Sequence, residues 1–275
     1  MVMKDKVAMV HGGGGAIGGA VARAFAAAGA RVYLAGRTRS RLEEVAADLG
    51  DAAAGVAEVD ALDEPAVAGH AERVVADAGR IDVALNAASF PFVLDRPLAD
   101  LSVAEVMQPI DDHLRANLVT AKAVAPHMAA AGAGTILTLS AAASRIVLPG
   151  TVGYGTACAA VEALSRRLAV ELGPAGVRVV CLRSHLVADG PAAGSYTGEL
   201  FRGRAAAAGV GVDRWLERYQ QDATLLGRLP TLAQVADAAA FAASDQAAAI
   251  TGAVVDLTCG NAVRTPAGAL VGVLD

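Results

Sequence analysis

Short, continuously apolar runs alternate with longer stretches of helical period along almost the whole chain. The strand candidates are Val7–Val10, Arg31–Ala35, Gly55–Val59, Ile81–Asn86, Thr135–Leu139, Val177–Leu182 and Ala253–Leu257. Between them lie alanine-rich segments, Gly18–Ala28, Ser40–Leu49, Glu64–Ala78, Ser102–Ala131, Gly155–Leu172 and Leu232–Ala243. The strands do not alternate apolar with polar residues, so both faces are buried, as a parallel sheet covered by helices requires. Strand–helix alternation with short joins predicts an α/β fold: a single Rossmann domain over 1–275, with a doubly wound parallel sheet of about seven strands and helices on both faces.

One stretch breaks the rhythm. Between Leu186 and Gly211 the chain carries Gly190, Pro191, Gly194, Gly198 and Gly203, with Tyr196 and Phe201 among them. A long insertion after the carboxyl end of a strand is where a substrate lid would sit, so 186–211 is a candidate lid. The plain alternative is a surface excursion without a role.

At 275 residues the chain is long enough for one large core. It has 23 basic and 28 acidic residues, a formal net charge of −5, and no Lys/Arg-rich run. Nucleic acid and anionic membrane are therefore not expected partners. Although 55% of the residues are hydrophobic, no run of roughly 18 strongly apolar residues supports a membrane span. The N-terminal residues lead at once into Val7–Val10, which reads as a first strand, not a leader. Cys158, Cys181 and Cys259 are few, scattered and odd in number, so reduced thiols in a cytoplasmic protein are expected. Neither they nor the five histidines show ligand spacing, and no metal is expected.

After the first strand comes His11-Gly12-Gly13-Gly14-Gly15-Ala16-Ile17-Gly18, which opens a helix. Glycines let backbone N–H groups approach a pyrophosphate, and a helix N-terminus favours its negative charge. Gly12, Gly14, Gly15, Ile17 and Gly18 are thus cofactor-binding candidates. The second strand ends Leu34-Ala35-Gly36-Arg37. An acidic residue there would bond ribose hydroxyls and repel a 2′-phosphate, whereas Arg37 offers a donor fork suited to phosphate. NADP(H) is therefore favoured over NAD(H).

These features resemble the short-chain dehydrogenase/reductase family and its Thr-Gly-x-x-x-Gly-x-Gly loop, with His11 in place of threonine and Ala16 in place of the middle glycine. Asp60-Ala61 resembles the family's adenine-contacting Asp-Val pair, and Asn86-Ala87-Ala88 its Asn-Ala-Gly motif beside the cofactor. Ser244-Asp245 and Thr251-Gly252-Ala253 extend the resemblance towards the carboxyl end. It implies a catalytic set of Asn, Ser, Tyr and Lys, and a homotetramer or homodimer packed through 102–131 and 155–172, with the apolar tail 262–275 able to reach a neighbouring subunit.

Asn117 matches the family asparagine and Tyr154 the tyrosine. The serine is ambiguous: a gapless count back from Tyr154 puts Ala141 at the catalytic position, and a one-residue slip brings in Ser140. The lysine is absent, because the fourth residue after Tyr154 is Cys158. Without that cation Tyr154 is expected to titrate near the unperturbed value of about 10. It would then be able to donate a proton but poor as a base. Cys158 reads as a small buried thiol filling the lysine's space. Where the family has Pro-Gly, the chain has Arg183-Ser184-His185, which places Arg183 and His185 as candidates for charge or a proton near the cofactor.

Two readings follow. The first is an NADP(H)-dependent oxidoreductase reducing a small carbonyl or enone, with Tyr154 as proton donor. The second is a dinucleotide-binding protein of the same fold without redox turnover.

Overall fold

The computed structural model describes residues 2–263, and the expectation for the 262–275 tail lies almost wholly outside them. Seven strands form one sheet in the order β3-β2-β1-β4-β5-β6-β7, and every neighbouring pair is parallel. They are β1 Val7–His11, β2 Arg31–Gly36, β3 Ala53–Glu58, β4 Val83–Asn86, β5 Gly134–Ala141, β6 Val177–Ser184 and β7 Val254–Leu257. The helices are α1 Ala16–Ala27, α2 Arg39–Leu49, α3 Glu64–Ala78, α4 Val103–Ala131, α5 Val152–Leu172, α6 Thr197–Ala207, α7 Val212–Ala223 and α8 Leu232–Ala243. This is the doubly wound arrangement that the apolar pattern predicts.

Burial explains the two layers. Ala8, Val10, Val32 and Leu34 pack on one face against Ala22 and Phe25 of α1 and Ala236 and Ala239 of α8. On the other face Met9, Ile136 and Val179 meet Val74 of α3, Val124 and Met128 of α4, and Ala169 of α5. The buried face of α8 is almost all alanine, Ala236, Ala239, Ala240, Ala242 and Ala243, which lets that helix lie close to the sheet. Gly153 allows the same closeness between α5 and α4, since a Cβ there would stand 2.9 Å from the Val106 carbonyl oxygen.

Local chemistry fixes the helix ends. Asp63 accepts from the Ala66 N–H at the start of α3, and Ser102 and Glu105 form a capping box on α4. Thr231 and Gln234 do the same for α8. The strand order reverses between β1 and β4, opening a crevice at the carboxyl ends where ligands bind in such sheets.

The excursion after β6 is larger than the sequence suggests. It carries α6 and also α7, and it runs past 211 to the Thr231 cap of α8. Gly198 and Gly203 obscured the helical period of α6, whose polar and small residues present a weak apolar stripe. Among the described residues no helix is long and apolar enough to cross a membrane.

Candidate active site

The cleft at the switch point is lined by Gly12, Gly14, Gly15, Gly36, Arg37, Thr38, Arg41, Leu42, Val59, Asp60, Ala61, Ala87, Ala88, Ser89 and Phe90. Gly12 is held at φ +73°, and a Cβ on it would stand 2.5 Å from the Ala87 carbonyl carbon. Only glycine fits that turn without moving the segment that follows β4. Gly18 is closed off from the cleft, because a Cβ on it would lie 2.2 Å from the Gly12 carbonyl oxygen. Gly18 therefore seats α1 against the loop, and Ile17 packs against the core.

The cleft fits a dinucleotide on its own terms. Helix α1 begins after Gly15 with no side-chain cap and no acidic residue in its first turn, so its positive end stays open to an anion. Arg37 and Arg41 face the cleft, while their neighbour Arg39 is paired with Glu43 at 2.7 Å. Asn86 accepts from the Ala88 N–H at 3.0 Å, yet its buried Nδ2 finds no partner among the described residues. A buried donor left in that state costs free energy unless a ligand takes it up. Asp60 uses Oδ1 to accept from the Leu62 N–H, which shapes the turn after β3.

Beneath the loop, the substituted His11 is buried and its ring nitrogens meet Thr120 Oγ1 at 3.2 Å and His70 Nδ1 at 3.3 Å. Burial lowers the pKa of His11 to about 3 and that of His70 to about 4, with His70 adding to the first shift and Arg73 to the second. Both rings are neutral at pH 7. The family threonine's place is thus filled by a two-histidine contact that no sequence spacing pairs.

A chain of rings leads from the cleft to the excursion. Phe90 meets His113 edge-on at 5.2 Å, His113 meets Tyr154 edge-on at 6.0 Å, and Phe92 stacks on Tyr154 at 4.0 Å. Phe92 also meets Tyr196 edge-on at 5.1 Å. Asn117 and His113 are positioned by α4 itself: Asn117 Nδ2 donates to the His113 carbonyl, and His113 Nδ1 donates to the Pro109 carbonyl. That second bond fixes the His113 tautomer, since a carbonyl only accepts. The Asn117 Oδ1 is buried without a partner among the described residues.

Tyr154 does not titrate near 10. Burial raises its pKa well above 10, with Tyr196 and Cys158 adding to the rise. The sequence expectation counted the lost cation but not the desolvation by Phe92 and the excursion. Cys158 is itself 4% exposed, and burial pushes its thiol up to about 11 even though Ala141 and Tyr154 work against the rise. It fills space and is not a nucleophile at neutral pH.

Ser140 faces the other way. Its hydroxyl donates to Glu162 Oε1 at 2.9 Å and lies 3.2 Å from the Cys158 carbonyl. Glu162 also accepts from Ser144 and from two nitrogens of Arg183, whose third nitrogen reaches Asp256 at 2.9 Å. Burial works against the Glu162 charge, but Arg183 and the two serines hold its pKa below the usual carboxylate range. Arg183 is therefore committed to this buried network. His185 pairs instead with the Tyr219 hydroxyl at 3.1 Å, and burial lowers its pKa to about 4.

Phe92 and His113 are site residues that motif reading missed, and Tyr196 was visible only as an aromatic in the candidate lid. Their signal was scarcity. With 4% aromatic residues in the chain, the two phenylalanines following Asn86-Ala87-Ala88 stand out.

The family model described as enoyl-(acyl carrier protein) reductase matches residues 14–261. D-threitol dehydrogenase of Mycolicibacterium smegmatis is 30% identical over 273 residues, covering 95% of each chain. An uncharacterized oxidoreductase of Staphylococcus saprophyticus is 32% identical over 195 residues, 70% of this chain and 82% of that one. Among solved structures, levodione reductase superposes with a TM-score of 0.84 at 23% identity, covering 95% of this chain and 99% of that one. NAD+-bound xylitol dehydrogenase gives 0.83 at 23%, covering 94% and 100%.

Proposed function

Because the chain belongs to the short-chain dehydrogenase/reductase family, whose fold holds a nicotinamide dinucleotide, we propose that it is an NADP(H)-dependent oxidoreductase that reduces a small, fairly apolar carbonyl or enone, with Tyr154 as proton donor. When bound, the dinucleotide supplies the hydride. The chain's part is to hold it, to wall off water and to deliver the proton.

The observation that carries this reading is the environment of Tyr154. A phenol without a cation beside it among the described residues, desolvated by Phe92 and Tyr196, holds its proton until a stronger base appears. The alkoxide that develops on carbonyl reduction is such a base, so the site favours reduction over alcohol oxidation. Arg37 and Arg41 at the cleft, with no acidic residue at the end of β2, support the 2′-phosphate cofactor. Gly12, Gly14 and Gly15 would take the pyrophosphate, and Asp60, Ala61, Asn86 and Ala87 would flank the adenine and nicotinamide ends. The ring walls favour a less polar substrate than the polyol in the name of the mycobacterial relative.

We further propose a homodimer or homotetramer through α4 and α5, whose outer faces expose Val103 at 79% and Val170 at 77%. The three cysteines are free, as a cytoplasmic location would have them.

NADPH consumption against a panel of ketones, enones and quinones, run beside direct NADPH binding, tests the proposal. Binding with turnover of at least one carbonyl supports it. The loss of the lysine at Cys158 favours one competing reading, a dinucleotide-bound protein without redox turnover, and tight NADPH binding with no substrate consumed would select it.

A further inference from the structure

The excursion after β6 meets the connection after β4 at an ion pair that the chemistry at Tyr154 does not use. Arg204 on α6 donates from Nε to Asp95 Oδ2 and from a terminal nitrogen to Asp95 Oδ1, both at 3.0 Å. Guanidinium and carboxylate meet fork to fork, which fixes orientation as well as distance. Asp95 is also held from its own side. Its backbone sits at φ +59°, which aspartate tolerates better than most residues, and its N–H donates to the Gly150 carbonyl at 3.1 Å. Gly150 lies at φ +76°, and a Cβ there would stand 2.7 Å from the Asp95 Cα. The connections after β4, β5 and β6 therefore converge on Asp95. Three residues before it is Phe92, which stacks on Tyr154 and meets Tyr196 edge-on. Tyr196 is the N-cap of α6. The helix thus touches the same connection at two points, Phe92 and Asp95, separated by about 12 Å of helix.

We propose that Asp95 and Arg204 are positioning residues: their ion pair clamps α6 to the connection after β4 and so holds Phe92 on Tyr154 as a wall of the substrate site. The kinetic consequence rests on the reductase reading, and the contact itself does not. The clamp acts on substrate binding, because it places a wall and leaves the Tyr154 hydroxyl and the dinucleotide cleft where they are. Its two side chains are 25% and 49% exposed, so dissolved salt screens the pair and loosens the clamp.

The test labels the tyrosine rings with carbon-13 and reads the Tyr154 resonances, which Tyr154→Phe identifies. A phenyl ring stacked face-on shifts the ring protons upfield. Arg204→Gln, Asp95→Asn and about 1 M KCl, where screening leaves a reach of only about 3 Å, should each move them towards the downfield position found in Phe92→Ala. The salt arm uses the unaltered protein, so a misfolded variant does not decide the result. In steady-state NADPH oxidation on the best carbonyl of the panel, Arg204→Gln should raise KM by about fivefold, with kcat and NADPH affinity near wild type. In a Phe92→Ala background the same substitution should raise KM no further, because the pair acts through Phe92. Tyr154 resonances unmoved by both substitutions and by salt overturn the clamp. A KM for Arg204→Gln equal to wild type, or a rise that persists undiminished without Phe92, overturns its part in the reaction. A wild type that binds NADPH and reduces nothing overturns the reductase reading instead, and the resonances still decide the clamp.

Discussion

Phe92 lies flat on Tyr154, with ring centroids 4.0 Å apart and planes 17° from parallel. The stack closes the face of the phenol that water would otherwise reach, and it sits on the loop after β4 while Tyr154 sits on α5. Phe92→Ala should lower the Tyr154 pKa back towards 10, which ultraviolet titration of tyrosinate would detect. The same change should cost about 1 kcal/mol of stability from the lost ring pair, seen in denaturant unfolding.

Cys158→Lys returns a cation to a position one turn from Tyr154. The cation stabilises phenolate, so the pKa of Tyr154 should fall. Alcohol oxidation should rise relative to carbonyl reduction, most clearly at mildly alkaline pH. A ratio of the two directions unchanged from wild type would show that Tyr154 does not set it.

The Glu162–Arg183 pair predicts a strong asymmetry between breaking and replacing. The two side chains are 6% and 10% exposed, so Arg183→Ala strands a buried carboxylate and should cost about 3–5 kcal/mol. The double change Glu162→Gln with Arg183→Met should cost less than that single one. The carboxylate's pKa is held down in the fold. Its contribution is therefore present above the unfolded carboxylate pKa and lost as pH falls through the lower folded value. Unfolding free energy measured from neutral pH down through the carboxylate range checks both claims.

The histidine pair beneath the glycine loop works in the opposite chemical sense with the same acid outcome. His11 and His70 stay neutral in the fold down to about 3 and about 4, while unfolded histidine takes a proton below 6.5. Stability should fall as pH drops from 6.5, by up to about 1.4 kcal/mol per pH unit for each ring. His11→Thr should flatten that slope between the unfolded and folded histidine values. A slope equal to wild type would contradict the buried neutral pair.

Much of the fold was legible because apolar periodicity is a local signal. The strands Val7–His11 and Val177–Ser184 and the helices Glu64–Ala78 and Leu232–Ala243 announce themselves within a single short window. The glycine loop was legible for the same reason. What failed to show was whatever depends on two distant segments meeting. Glu162 sits one helical turn beyond Cys158, yet its partner Arg183 lies on β6 and Asp256 on β7. No spacing rule pairs them. Tyr154's high pKa likewise comes from Phe92 and Tyr196, which approach it from two separate connections. Helix α7 is the exception, a local signal passed over: Val212, Trp215, Leu216 and Tyr219 recur at i, i+3, i+4 and i+7, and Trp215 stacks on Tyr219.

Arg37 and Arg41 make a cofactor prediction. Arg37→Ala should weaken NADPH binding by about tenfold or more, since a charge-assisted phosphate contact is worth about 1.5–3 kcal/mol. NADH binding should change little. Equal losses for the two cofactors in fluorescence titration would remove Arg37 from the 2′-phosphate site.

The most direct measurement is the effect of Tyr154→Phe on NADPH-dependent reduction of the panel's best carbonyl, with NADPH affinity measured on the same samples. Tyr154 as proton donor predicts unchanged affinity and a fall in kcat of about 10²-fold or more. Turnover retained by Tyr154→Phe, or a wild type that binds NADPH tightly and reduces no carbonyl, would contradict it.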